Sequence, residues 1–389
     1  MPHPIDRRRI LAAAGATLVL GALPGCAVAP RRPPQPEMLQ LTPLRASVDR
    51  ITRITVCTRP FRAQGPRIEL ERVGAKNVVH NYGHGGSGWS LSWGSGAMAV
   101  RLAVATGERD VGVIGCGALG LTSALLLQRA GIRTTIYAKE LPPNVRSSWA
   151  SGLWTPDSRI CMEEHATPAF KHTWERMARD SYQSYQTLLG LPGTPVEFID
   201  SYFVSEDENG ARRRPDPADP RPKFAELQRG LIDDLIPARR DFGPGTHPFG
   251  QRYLRRGTTM MFNLTSYSHM LMSDFLAAGG RINIIEFHSP DDLAALPERT
   301  LINATGYGAR ALFNDTSITP VRGQLARGIP QPEVGYGLFY QGVSFVPRRD
   351  GPVFQVVGDS DYFGFGDDST QPDRAEAELA VTTIGKLFA

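Results

Sequence analysis

Between residues 110 and 140 the hydrophobic pattern changes period twice. Asp110 to Ile114 is a short apolar run, Thr122 to Ala130 is rich in strong helix formers, and Ile132 to Ala138 is β-branched. That order predicts strand, helix, strand, a βαβ unit with its first turn at GCGALG. A further strand is predicted at Ile51 to Val56. Residues 78 to 88, VVHNYGHGGSG, read as a Gly-rich turn running into a helix. Near the C-terminus Ala377, Val381, Ile384 and Phe388 recur at helical spacing. They follow a capping-box start at Thr370 to Asp373, with Pro372 in the first turn, so a closing helix is expected.

The first apolar run, Ile10 to Leu23, is too short to span a bilayer comfortably and ends in small residues. Arg7 and Arg8 before it resemble a bacterial twin-arginine export signal. Leu-Pro-Gly-Cys, ending at Cys26, resembles a lipoprotein cleavage box, which implies an exported, periplasmic or lipid-anchored protein. Pro30, Pro33, Pro34 and Pro36 follow and mark residues 27–40 as an extended tether, at about 3 Å per residue. The folded part is expected to begin near Leu41.

Composition narrows the class without naming it. A 41% hydrophobic content with 21% charged residues excludes a largely disordered chain. The net charge of +4 falls by two if the first 26 residues leave, and no basic motif suggests nucleic acid. Cys26, Cys57, Cys116 and Cys161 form no CxxC and no cluster at metal spacing. A Cys57–Cys161 disulfide is conceivable in an oxidising compartment, although sequence does not place the pair. The run at 206–222 alternates charge and proline, as a solvated loop does.

Gly115, Gly117 and Gly120 give the βαβ turn its chemistry. The first permits the tight turn, the second admits a pyrophosphate, and the third lets helix and strand pack. The phosphate would rest on the helix N-terminus at Ala118. Glu140, just past the second strand, is the candidate partner for the adenosine ribose, although Lys139 stands where an acid is more usual.

Other segments select the dinucleotide. HNYGHGG (80–86) closely resembles the signature of the D-amino-acid oxidase family. SSWASGLWTP (147–156), LINATGYGAR (301–310), TPVRGQ (319–324) and CTRPFR (57–62) resemble four further segments of that family. The resemblance implies FAD as cofactor, held by a Rossmann-like α/β domain beside a mixed-sheet α+β substrate domain. It places Gly85, Gly86, Ser87 and Gly88 at the flavin ring, with Ser147, Ser148, Gly152, Leu153, Thr305 and Gly306 also at the cofactor. Gly96 stands where the family usually has Ala. The implied activity is oxidative deamination of D-amino acids by hydride transfer from Cα to flavin N5. The products are a 2-oxo acid and ammonia, with oxygen or a quinone as acceptor.

The order of these segments departs from the family. There the arginine segment and HNYGHGG close the chain; here they precede the dinucleotide fingerprint. Moving residues 45–106 behind Ala389 would restore the order, so a circular permutation is expected, with Ala389 near the start of the strand at Ile51. The expected division is a permuted segment at 41–106, an FAD domain at 107–160 and 295–325, and a substrate domain with the C-terminal helix at 161–294 and 326–389.

The resemblance assigns Arg59 to the substrate carboxylate, which a guanidinium grips in a planar, bidentate pair. Arg62 is the weaker alternative. Tyr340 matches a tyrosine on the lid side; the second family tyrosine is missing, with Ser344 or Phe345 in its place and Tyr336 as a substitute from another direction. His80 and His84 read as hydrogen-bonding residues rather than bases. Rival readings are a glycine-type or N-methylated amine oxidase or dehydrogenase, a nicotinamide dehydrogenase, and an exported flavin-binding protein without turnover.

Overall fold

The computed structural model describes residues 38–208 and 219–389. The expected export signal, Cys26, nearly all of the tether and the middle of the 206–222 loop lie outside the described residues. Among the described residues, fourteen strands form two sheets. In chain order they are β1 (Ile51–Arg62), β2 (Arg67–Val73), β3 (Lys76–Tyr82), β4 (Asp110–Ile114), β5 (Arg133–Ala138), β6 (Val196–Ser205) and β7 (Arg240–Phe242). Then come β8 (Tyr253–Phe262), β9 (Arg281–Ile284), β10 (Thr300–Asn303), β11 (Ile318–Gly328), β12 (Tyr336–Tyr340), β13 (Val343–Val346) and β14 (Val353–Val356). Five longer helices cover them: α1 (Gly88–Val104), α2 (Ala118–Arg129), α3 (Pro168–Gln186), α4 (Leu264–Ala277) and α5 (Arg374–Gly385).

One sheet runs in the order β2-β3-β10-β4-β5-β9. All neighbours are parallel except the edge pair β2 and β3. Parallel strands need cover on both faces, which is why β4 reads as a continuous apolar run and is buried from Val111 to Ile114. Val111, Val113, Ile136 and Ile302 share one core cluster with Leu121 and Leu125 of α2 and with Leu91 of α1. Each such side chain contributes about 1.5–3 kcal/mol by leaving water.

The second sheet runs β1-β11-β14-β13-β12-β6-β8-β7. Its two faces follow the period of two along each strand. Ala326, Leu338, Tyr340, Phe345 and Phe354 face α5, in a cluster with Ala377, Ala380, Val381 and Ile384. The alternate positions Phe339, Ser344 and Gln355 line a large cavity instead.

Several expectations change. β1 continues past Val56 to Arg62, through Pro60, because it is an edge strand where a missing N–H is tolerated. α4 and β9 fall in the span expected for the substrate domain, yet β9 pairs in parallel with β5 and α4 packs on α2. The four residues of β9 carry no signal for which sheet they join. β2 and β3, from the front segment, sit in the same dinucleotide sheet. The cap of α5 is Asp373 rather than a box begun at Thr370, its carboxylate accepting from the amides of Ala375 and Glu376. Cys57, Cys116 and Cys161 are buried free thiols, so the conceivable Cys57–Cys161 disulfide is absent.

The C-terminal helix lies against the first described residues. A methyl built on Gly385 would come within 2.9 Å of the Ala46 carbonyl oxygen. Leu44 shares a core cluster with Val381, Ile384 and Leu387.

Candidate functional site

One cavity of about 930 Å³ runs from the β4–α2 turn to the β1 edge of the larger sheet. At its first end the fingerprint glycines are required sterically. Gly115 has φ +108°, and a Cβ there would lie 2.6 Å from the Ala304 carbonyl. A Cβ on Gly120 would lie 2.0 Å from the Gly115 carbonyl. Gly120 therefore packs behind the turn, while Gly115, Gly117 and Ala118 line the cavity. α2 has no cap from its N-cap residue Gly117 and no acid in its first turn, so apart from the Ala118 amide its N-terminus offers amides and a positive field to an anion. Glu140 lines the cavity beyond β5, and Lys139 is engaged with Glu286 at 3.1 Å.

Another part of the wall comes from the front of the chain. Gly85, Gly86 and Gly88 line the cavity where α1 begins, again with no side-chain cap and no acid in the first turn. Ser87 is buried behind them, its hydroxyl donating to the Ser158 carbonyl at 3.1 Å. Two donor-rich helix starts on one cavity suit a ligand with a diphosphate and an electron-rich ring, the chemistry of FAD.

Ser147, Leu153, Thr305 and Gly306 also line the cavity, whereas Ser148 and Gly152 stand just behind it. The Ser147 hydroxyl accepts from the Ala118 amide at 3.2 Å, and the Trp89 indole donates to the Ser147 carbonyl at 2.7 Å. This stretch is held by a buried cluster that motif reading missed. Arg348 donates to the Ala150 carbonyl at 2.8 Å and Arg327 to the Ser148 carbonyl at 3.2 Å. Both guanidiniums meet Asp350, through Arg348 Nε at 2.8 Å and Arg327 Nη1 at 3.3 Å. Burial works against the Asp350 charge, yet Arg348 beside it holds its pKa below the usual carboxylate range. The only signal in the sequence was the charged triplet RRD following an apolar strand.

Arg59 reaches the cavity from β1. Its guanidinium is half-buried, lies over Gly323, and donates through Nη1 to the Arg322 carbonyl at 3.1 Å. Among the described residues it forms no ion pair. Arg62 differs: it donates to Ser317 at 2.8 Å and lies 3.5 Å from Asp315, which makes it a structural residue. Arg159, not singled out by the sequence, lines the cavity and donates to the Asp361 carbonyl at 2.6 Å.

Tyr340 requires a correction. Its ring is buried on the α5 face, and its hydroxyl donates to Glu206 at 2.6 Å. The strand's alternation turns Phe339 to the cavity in its place, and Tyr336 shares the fate of Tyr340, its hydroxyl on the Thr42 carbonyl at 2.5 Å. Ser344 does line the cavity, with Gln355 on the next strand.

The histidines divide. His80 is buried between Glu71 at 2.8 Å and Asn303 at 3.0 Å, a strand-linking role. His84 is buried beside Pro60, and neither ring nitrogen has a partner. Burial pushes its pKa down to about 3, so it stays neutral at ordinary pH.

Comparison with known proteins gives the family. The model of the FAD dependent oxidoreductase family matches residues 110–389. A D-amino-acid oxidase from Dictyostelium discoideum is 29% identical over 219 residues, which is 55% of each chain. The match thus takes in little more than half of that relative. A D-amino-acid oxidase from Rubrobacter xylanophilus is 25% identical over 281 residues, 71% of this chain and 76% of the relative. Among solved structures, an iminodiacetate oxidase from Chelativorans aligns with a TM-score of 0.47 at 17% identity, covering 71% of this chain and 77% of that one.

Proposed function

Because the chain belongs to the FAD dependent oxidoreductase family, we propose that it oxidises D-amino acids to imino acids, which water hydrolyses to 2-oxo acids and ammonia. The observation that carries the reading is Arg59, half-buried and without an ion-pair partner among the described residues, in the cavity that also holds the Gly85–Gly88 loop. Such a group binds a substrate carboxylate in a planar pair and fixes which face of Cα it presents. Bound along the cavity, FAD supplies the hydride acceptor. Gly115, Gly117 and Ala118 would hold its pyrophosphate, Glu140 its ribose, and the start of α1 its ring. No side chain has to remove a proton when the amine enters neutral. His84, whose pKa burial pushes down to about 3 and whose ring nitrogens are buried, is too weak a base for that step.

A second reading is supported by the missing tyrosines. With Tyr340 and Tyr336 turned to the far face and Ser344 and Gln355 at the cavity, the carboxylate loses hydroxyl partners. That weakens the grip on any amino-acid carboxylate and leaves a glycine-type or N-substituted amine open as substrate; a flavin-binding protein without turnover is the limit of the same trend. Anaerobic addition of D-alanine, L-alanine, glycine and sarcosine to the FAD-loaded chain separates the three. Bleaching of the flavin by D-alanine supports the first reading. Bleaching by glycine or sarcosine alone supports the second, and an unreactive flavin the third. Arg59→Ala should raise the D-alanine requirement at least tenfold with FAD still bound; unchanged turnover removes Arg59 from the site. The acceptor, oxygen or a quinone, is read by peroxide release.

We also propose that the chain is a circular permutation of its family and is exported through its N-terminal signal, anchored by lipid at Cys26. The packing of Gly385 on Ala46 and the front position of CTRPFR and HNYGHGG support the first. A linked and reopened chain, beginning near Glu108 and ending near Ala105, should fold and bind FAD; failure to do so counts against it. Cell fractionation of the full chain and its Cys26→Ala variant tests the second.

A further inference from the structure

The peptide that receives Arg59 is gripped from behind. Along β11 the side chains of Arg322 and Gln324 point to the α5 face, while Gly323 between them faces the cavity under the Arg59 guanidinium. Arg322 is buried, and its Nη1 donates to Glu376 Oε2 at 2.7 Å. Its Nη2 donates to Gln324 Oε1 at 3.1 Å, and Asp367 lies 3.9 Å from its Nε. Gln324 is tied to the start of α5 twice: its Nε2 donates to the Asp373 carbonyl at 2.7 Å, and its Oε1 accepts from the Asp373 amide at 2.6 Å. The Arg322 amide donates to the Gly364 carbonyl at 2.8 Å, which fixes the preceding peptide on the other side of the same Cα. Glu376 therefore meets a buried cation whose own carbonyl oxygen accepts from Arg59 at 3.1 Å.

We propose that Glu376, acting through Arg322, is a positioning residue for Arg59, so that the first turn of α5 sets how tightly the cavity holds a carboxylate. The inference rests on the reading of Arg59 as the carboxylate binder. A buried guanidinium that loses its closest carboxylate shifts or draws in water, and its backbone carbonyl turns with it. Among the described residues Arg59 has no other hydrogen bond to hold its fork in place. Binding through a bidentate fork depends on orientation as well as charge, so a small rotation is felt as lost affinity.

The test uses the FAD-loaded full chain, with benzoate as a simple carboxylate probe followed through the visible flavin spectrum, and FAD affinity measured in parallel. Glu376→Gln should weaken benzoate about tenfold, Glu376→Asp should restore much of it, and FAD affinity should stay unchanged. Arg59→Ala should weaken benzoate further, and adding Glu376→Gln in that background should do nothing more, the non-additivity expected of residues acting in series. Should the single charge deletion fail to fold, the paired change Arg322→Met with Glu376→Leu leaves no buried unpaired charge and should show the same loss. Wild-type benzoate affinity in either variant, or a loss that persists in the Arg59→Ala background, overturns the proposal. Benzoate binding that ignores Arg59 overturns the reading beneath it as well, whereas binding that needs Arg59 but ignores Glu376 overturns this inference alone.

Discussion

The guanidinium of Arg59 lies directly over Gly323: a methyl built there would sit 2.5 Å from Nη1 and 2.7 Å from Cζ. Only a residue without a side chain leaves that space. Gly323→Ala should therefore move the guanidinium rather than break the strand, because the clash is with the free end of a flexible side chain. The expected result is a rise of roughly tenfold in the KM for a carboxylate substrate, about 1.4 kcal/mol of lost binding, with kcat and FAD affinity little changed. Steady-state kinetics with a flavin-binding titration checks it.

The Arg348–Asp350–Arg327 cluster ties the flavin-side stretch 147–153 to the larger sheet. Asp350→Asn would leave Arg348, fully buried, and Arg327 without their counter-charge. Breaking one side of a buried pair costs about 3–5 kcal/mol. Denaturant unfolding should show that loss, and FAD affinity should fall with it, because the Ala150 and Ser148 carbonyls lose their anchor.

His84 makes stability depend on pH in a definite direction. The unfolded residue titrates near 6.5, the folded one near 3. Between those values only the unfolded chain takes up the proton. Stability is thus complete above pH 6.5 and falls as pH drops towards 3, by about 1.4 kcal/mol per pH unit. Urea unfolding at pH 7.5, 6.5, 5.5 and 4.5 should show a shallower slope in His84→Leu than in the parent.

Gly96 lies inside α1, facing Leu126 Cδ1 at 3.2 Å from its notional Cβ. Alanine gains about 1 kcal/mol over glycine in a helix, and the crowded atom is a rotatable methyl. Gly96→Ala should raise the melting temperature modestly without altering FAD affinity; a fall would mean Leu126 cannot yield.

Legibility in the sequence followed the range of the physics. β4 was read to its end residues because a buried parallel strand and its Gly-rich turn are written in consecutive positions. The glycine-lined cavity wall was legible in part for the same reason: Gly115 and Gly85 have positive φ, which a short Gly-rich run announces in consecutive letters. Tyr340 failed because its face depends on the parity of β12 against α5, which a motif match does not carry. Arg348, Asp350 and Glu376 went unread because their roles exist only once distant strands and a helix meet. The boundary at α4 and β9 was missed because a four-residue strand takes its sheet from its neighbours, not from its own letters.

The buried thiols have a chemical consequence for a protein of this kind. Where oxygen reoxidises the flavin, peroxide is released inside the cavity that Cys116 lines. Peroxide attacks thiolates, not thiols. Burial pushes the Cys116 and Cys161 thiols up to about 12, so at neutral pH almost none of either is in the reactive form. On that proposed chemistry, the packing that closes the dinucleotide turn would also keep the Cys116 thiol from reacting with the peroxide.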